Sequence, residues 1–413
     1  MLLHWIWFAE LKDISLLHKH RLLERFGDPE ELFRMSEEAL LGAGIPEKER
    51  IALSDKDLWK AEQIVERCTK RGISVLPVLD SAYPKRLRNS PDAPVVLYYR
   101  GILPDWEARP YIGVVGTRKA SAYGMQVAYQ LGSQIASCGG FVVSGGAAGA
   151  DTAAMQGAMN AGYPVVCVLG CGVDVVYPYS NRKLFEAIVK EGCLISEYPP
   201  GAEAKPWHFP ARNRIISGVS NGVLVAEAPK ASGALITARH ALEQGRDVFV
   251  VPGNINSPTC EGSNALLQEG AAPVFSGWDV VSGYEFLYPG KLQKNMAVPL
   301  YSGEETLAPV AEKSTVPEKS SNKSAKSGKI PIDNGDKSPY IELVKNRPAL
   351  TEEEQAVLAC LTAEPKEASA LMDTLDMPSG KVLSILTMLT VKGYAQKHPG
   401  GSFSLANIIQ TRS

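Results

Sequence analysis

Between residues 111 and 275, short apolar runs rich in β-branched residues alternate with longer stretches whose apolar positions recur at helical spacing. The runs at 112–115, 141–144, 165–169, 193–196, 222–226, 248–251 and 273–275 predict strands. The stretches at 123–138, 151–160, 181–190, 213–219, 234–244 and 264–269 predict the helices between them. Such alternation is the pattern of an α/β fold, a parallel sheet wrapped by helices on both faces. Parallel crossovers bring every strand's C-terminal end to one edge, where open α/β folds bind their ligands. Gly116-Thr117-Arg118, Ser144-Gly145-Gly146, Gly170-Cys171-Gly172, Glu227 and Pro252-Gly253 all fall at that edge.

The pattern changes on either side of this region. Residues 1–71 predict a small helical module of the sterile-alpha-motif or helix-hairpin-helix kind, read as a packing and interaction unit. Within it Leu16, Leu17, Leu22, Leu23 and Phe26 keep helical spacing, and Gly27-Asp28-Pro29 stops one helix and starts the next. Lys19, His20, Arg21 and Arg25 fit a face toward a nucleic-acid backbone and a solvated helix face equally well. Residues 72–101 read as a strap leading to one edge strand, so that the α/β core runs over 72–289. Residues 290–349, rich in Lys, Ser, Pro and Glu, predict a disordered linker. Residues 350–413 predict a winged-helix domain: a helix capped by Thr351 and Glu354, helices near 367–375 and 378–392, and a hairpin over 393–405. Its presumed recognition helix offers only Lys381 and Lys392, a poor set for reading a major groove.

Composition narrows the function classes. A chain of 413 residues suits two or three domains. The net charge of −2 gives no global basic field, so nucleic-acid binding requires local clusters of arginine and lysine. Seven scattered cysteines without a Cys-x-x-Cys pair argue against a disulfide framework or structural zinc and favour a reducing compartment. The apolar opening, Met1 to Phe8, is too short for a membrane span and lacks a basic leader, so a cytoplasmic protein without a membrane partner is expected.

Two stretches carry candidate chemistry. Ser144-Gly145-Gly146-Ala147-Ala148-Gly149-Ala150-Asp151 lacks the Lys-Ser/Thr of a P-loop and is not a G-x-G-x-x-G fingerprint. Its glycines, with Gly116, predict bare N–H groups close to a phosphate, and Arg118 supplies charge. Trp207-His208-Phe209-Pro210-Ala211-Arg212-Asn213-Arg214 places two arginines at an expected helix start, where the helix dipole gives them no benefit. Arginine, amide and ring together suit a phosphate with a stacked base. The competing arrangement is a core Phe209 with Arg212 paired to Glu197 or Glu227. Ser232 and Gly233 open another helix and are read either as a plain cap or as a second phosphate site. Cys171 reads as a buried filler, the histidines lack metal-ligand spacing, and no catalytic constellation or cofactor site is found.

Taken together, several motifs resemble the DNA-processing protein A (DprA/Smf) family. They are Val114-Val115-Gly116-Thr117-Arg118, Ser121-Ala122-Tyr123-Gly124, the glycine loop 144–151, Tyr177-Pro178, Ser196-Glu197-Tyr198-Pro199, Phe209 to Gly218, Glu227-Ala228 with Ser232-Gly233, and Gly245 to Gly253. The resemblance implies an extended Rossmann-like core that binds single-stranded DNA, dimerises, protects incoming DNA and loads the recombinase RecA during natural transformation. It places DNA contacts at Gly116, Thr117, Arg118, Ser144, Gly145, Gly146, Phe209, Arg212 and Arg214. Two positions depart from the family pattern: Ala148, where a basic or polar residue is usual, and Met155, where a histidine is usual. Two other readings stay open. One is a Rossmann-like nucleotide hydrolase of the nucleoside monophosphate phosphoribohydrolase type, using Glu197 or Glu227. The other is a winged-helix regulator with a nucleotide-sensing core.

Overall fold

The structure, a computed structural model, describes residues 2–295 and, beyond them, 350–362, 366–367, 371, 377, 379–392, 394–398 and 402–405. Contacts divide the chain into two units, Met1–Lys313 and Ser314–Ser413. Past Asn295 the expected linker lies outside the described residues, as does most of the helix expected at 367–375.

The first unit opens with six helices, α1 (Leu2–Glu10), α2 (Leu16–Phe26), α3 (Pro29–Arg34), α4 (Glu37–Gly42), α5 (Glu47–Ser54) and α6 (Trp59–Arg71). Ser15, Asp28 and Ser36 cap α2, α3 and α4 through their side-chain oxygens, which gives the short helices defined starts. Trp5, Ile6, Trp7 and Phe8 of α1 are buried in the same continuous apolar core as the sheet that follows. The module therefore does not stand on a core of its own. Lys19 is turned inward as well: it is 4% exposed and donates to the Ala9 carbonyl at 2.7 Å, so it is lost to any outer basic face.

The sheet has nine strands in the order β1-β2-β6-β5-β4-β3-β7-β8-β9. They are β1 (Ser74–Pro77), β2 (Val96–Gly101), β3 (Tyr111–Val115), β4 (Phe141–Ser144), β5 (Val165–Val168), β6 (Cys193–Ser196), β7 (Gly222–Val225), β8 (Asp247–Val250) and β9 (Ala272–Pro273). Strands β3 to β9 run parallel, while β2 pairs antiparallel with both β1 and β6. The strap thus supplies two strands rather than the one expected, with β1 outermost. Every residue of β3, β5, β6 and β7 is buried, as strands covered on both faces must be. The crossovers are α8 (Ala122–Ser137), α9 (Ala150–Asn160), α10 (Arg182–Glu191), α11 (His208–Val219), α12 (Gly233–Glu243) and α13 (Glu261–Gln268), with the short helices α7 (Lys85–Arg88) and α14 (Gly277–Val281) beside them. Gly132 and Gly157 let α8 and α9 touch backbone to backbone; a Cβ at either would strike the other helix at Ala154 or Tyr129. From β3 the chain builds outward to β6, then returns to the other side of β3 as β7. The order reverses between β3 and β7, the position at which doubly wound sheets open a crevice.

In the second unit, helices Glu352–Ala359 and Ser379–Val391 accompany a small antiparallel sheet of Lys366–Glu367, Ser402–Leu405 and Ala395–His398. The expected capping box is present, with Thr351 and Glu354 each receiving the other's backbone N–H. Val357, Leu361, Val382, Leu386, Leu389 and Phe403 form its core. Helix plus hairpin is the winged-helix arrangement expected for this region.

Candidate functional site

A cavity of about 660 Å³ opens at the reversal point, between the segment leaving β3 and the segment between β7 and α12. Its lining includes Gly116, Thr117, Arg118, Phe209, Arg212, Ser232 and Gly233. A smaller cavity of about 100 Å³ shares Arg118, Ala147, Tyr177, Phe209 and Arg212 with it and adds Gly145 and Gly146. Neither lining includes Ser144 or Arg214. Ser144 is fully buried, its hydroxyl donating to the Val114 carbonyl at 2.7 Å. It ties β4 to β3.

The glycine loop is not the bare set of amides that the motif suggests. Asp151, in the first turn of α9, places its carboxylate under the loop and accepts N–H groups from Gly116 (3.3 Å), Gly145 (3.2 Å) and Ala147 (3.5 Å). The chain has filled its own anion nest, and the start of a helix is a favourable place for that charge. Burial pushes the Asp151 carboxyl above the ordinary range, while Arg212 and the three donors pull it back. Gly145 lies between the two charges: a Cβ there would come 2.6 Å from Arg212 Nη2 and 2.8 Å from Asp151 Oδ2. Asn181 holds the loop from the other side, donating to the Gly146 carbonyl at 3.0 Å and the Thr152 hydroxyl at 2.7 Å.

Helix α11 starts at His208, a full turn before the expected start, so Arg212 and Arg214 are helix-interior residues. Pro210 is tolerated because a first-turn N–H has no intrahelical acceptor to lose. Two residues on an α-helix lie about 200° apart, which sends the two arginines to opposite sides. Arg214 faces away from the cavity and makes a bidentate pair with Glu197 at 2.7 and 2.6 Å, with Nε on the Asp92 carbonyl at 3.1 Å. It braces the helix against β6 and the strap. Arg212 is 3% exposed and donates through Nη1 to the carbonyls of Gly145 (2.6 Å) and Val168. Its Nη2 has no hydrogen-bond partner among the described residues, and the side chain lines both cavities. The expected alternative, Arg212 paired with Glu197 or Glu227, belongs in fact to Arg214.

At the rim, Arg118 and Lys119 are exposed and form no ion pair among the described residues. The Arg118 guanidinium sits 4.9 Å from the Phe209 ring centroid. Glu227 stays out of the cavity. It is 1% exposed and accepts from Ser121 N and Oγ, both at 2.8 Å, and from Thr259 Oγ1 at 2.5 Å. That carboxylate locks the end of β7 to the start of α8. Ser232 caps α12 by accepting the Ala234 N–H at 3.2 Å. Cys171 is 1% exposed, and burial pushes its thiol up to about 11, which suits a packed filler.

The motif reading left out Asp151, Asn181, Lys119 and Tyr177 as working parts. Asp151 carried a readable signal, an acid in the first turn of a predicted helix directly after a glycine loop, and Tyr177 stood in the Tyr177-Pro178 motif without an assigned role. The others depend on loops brought together from distant parts of the chain.

Comparison with known proteins agrees with this architecture. The family model described as DNA recombination-mediator protein A matches residues 74–285, and that described as DprA winged helix domain matches 344–401. The DNA processing protein DprA of Streptococcus pneumoniae is 44% identical over 213 residues, covering 51% of this chain and 73% of that protein. The DNA processing protein DprA of Bacillus subtilis is 38% identical over 221 residues, covering 54% and 74%. The X-ray structure of DNA processing protein A from Streptococcus pneumoniae matches with a TM-score of 0.60 at 33% identity, over 68% of this chain and 98% of that one. By its α/β unit and its winged helix alike, the chain belongs to the DNA recombination-mediator protein A (DprA/Smf) family.

Proposed function

We propose that the cavity at the β3/β7 reversal binds single-stranded DNA, and that this chain protects incoming DNA and loads RecA onto it during natural transformation. The observation that carries the reading is the charge balance of the cavity. Arg118 and Lys119 stand at its mouth without counter-ions among the described residues, and Arg212 lines it with an Nη2 that has no hydrogen-bond partner among them. The one carboxylate in its lining, Asp151, is enclosed by three N–H donors. A cavity with surplus guanidinium and ammonium beside an aromatic ring suits a backbone phosphate with its base. The start of α12, at Ser232 and Gly233, supplies a second place for a phosphate. In this reading Gly116, Thr117, Gly145 and Gly146 shape the cavity, whereas Ser144 and Arg214 brace it from behind. The chain works as a homodimer in the cytoplasm.

The hydrolase alternative gains nothing from the geometry. Glu197 is paired with Arg214, and Glu227 is held by Ser121 and Thr259, so both glutamates it could use are engaged internally. Titration of labelled oligo-dT and of a duplex of equal length, at several salt concentrations, tests the proposal. Tighter binding of the single strand, with a log K against log[salt] slope of about −0.7 per phosphate contacted, is expected. Failure to bind oligo-dT at low ionic strength overturns it.

A further inference from the structure

We propose that a cavity between the helical module and the strap is a docking site for a short acidic peptide of a partner protein, one that carries aliphatic side chains beside its carboxylates. The cavity, of about 500 Å³, is lined by α2 on one side and by the chain from Val78 to Pro91 on the other. That volume lies in the range that bound ligands fill. It shares no lining residue with the two cavities at the β3/β7 edge, and the single-strand reading makes no use of it. Its walls are tied together. The His20 ring of α2 bonds through Nε2 to the Ala93 carbonyl at 2.8 Å, so that nitrogen carries the hydrogen, and module and strap share one apolar core.

Two arginines line the cavity without a counter-ion among the described residues. Arg21 stands exposed on α2. Arg88, at the end of α7, is held in place by the Tyr83 ring, 5.8 Å from its guanidinium carbon to the centroid, and by the Asp80 carbonyl, which accepts from Nη2. None of its other donors has a hydrogen-bond partner among the described residues. A guanidinium fixed in this way is prepared for a carboxylate, whose two oxygens match its fork of donors. Glu24 is the one carboxylate among the lining residues, so two guanidinium groups against one acid leave a single surplus positive charge.

That balance decides the kind of partner. One surplus charge is little for a polyanion, and the lining holds no Phe, Tyr or Trp ring on which a base could stack. What it holds instead are Leu17 and Leu79, one on each wall and 44% and 51% exposed. A single exposed leucine is ordinary. Two that border one cavity beside unpaired arginines make a peptide site, in which the leucines receive apolar side chains and the arginines receive acids.

The test uses the full chain and a fluorescent peptide of alternating aspartate and leucine. One control peptide has asparagine for every aspartate, and another has serine for every leucine. The acidic leucine peptide should bind about ten-fold more tightly than either control, and saturating oligo-dT should not displace it. Arg21→Ala should weaken it about ten-fold, the size of one lost charge-assisted hydrogen bond, and leave oligo-dT binding unchanged. Glu24→Gln should tighten it, a change of opposite sign that a folding defect does not produce. Binding no tighter than that of the controls overturns the site, as does unchanged peptide affinity in both variants. Displacement by oligo-dT assigns the cavity to nucleic acid and overturns it as well. None of these results touches the DNA cavity, which stands or falls on oligo-dT binding by the wild type.

Discussion

Two regions of this chain carry a pair of cations where nucleic acid could reach them, and they differ in their neighbours. Arg118 and Lys119, after β3, have no carboxylate partner among the described residues. In the winged-helix unit, Lys381 is paired with Glu353 at 2.5 Å and Lys392 with Glu354 at 2.6 Å. Glu354 also receives the Thr351 N–H of the capping box, so Lys392 is bound into the helix start itself. Counting cations in the sequence would rank the two regions alike. Phosphate affinity follows the charge left over after internal pairing, and of these two pairs it is Arg118 and Lys119 that keep it among the described residues.

The strongest way to break this contrast is to remove the internal counter-charge of the cavity. Asp151→Ala strands three N–H groups and the Arg212 guanidinium, and should cost about 3 kcal/mol in urea unfolding. A loss within experimental error would mean that the carboxylate does not organise the loop. Next in size are Arg118→Ala and Lys119→Ala, each expected to flatten the salt slope for oligo-dT by about 0.7. Equal slopes in wild type and both variants would remove the two residues from the DNA path.

The reverse experiment sharpens the comparison. Glu353→Gln frees Lys381 and should steepen the slope by up to about 0.7, whereas Lys381→Ala in the wild-type background should leave it unchanged. A Lys381→Ala chain with a flatter slope would show that its pairing does not neutralise it. The smallest effect belongs to Lys19, a cation held by a carbonyl and by the Phe8 ring at 5.7 Å. Burial brings its ammonium down to about 8 against an ordinary 10.5, with Glu10 opposing. Between those two values the unfolded chain binds more protons than the folded one, so stability rises with pH across that window. Lys19→Met should flatten that part of a plot of Tm against pH; an unchanged plot would assign the rise to other groups.

The parallel strands were legible because burial on both faces leaves an unbroken apolar run. Each of β3 to β8 lies within a residue of its expected bounds. Strand β1 was not, since Ser74–Pro77 offers four residues at an edge, one of them a proline. The start of α11 was misplaced because Pro210 reads as a barrier, although the first turn accepts it. That shift of a few residues turns Arg214 onto Glu197 and away from the cavity lining.

What the sequence determined by itself is the set of residues that reach the binding edge, because strand and helix periodicity are local properties of the chain. Which of those residues still has an unsatisfied donor or a free charge was decided only in three dimensions. Asp151 reaches back to Gly116, and Glu197 answers Arg214, across stretches of chain over which no periodicity carries information. Each side chain has a fixed number of N–H and O–H hydrogens to give, and the fold chooses which acceptors receive them.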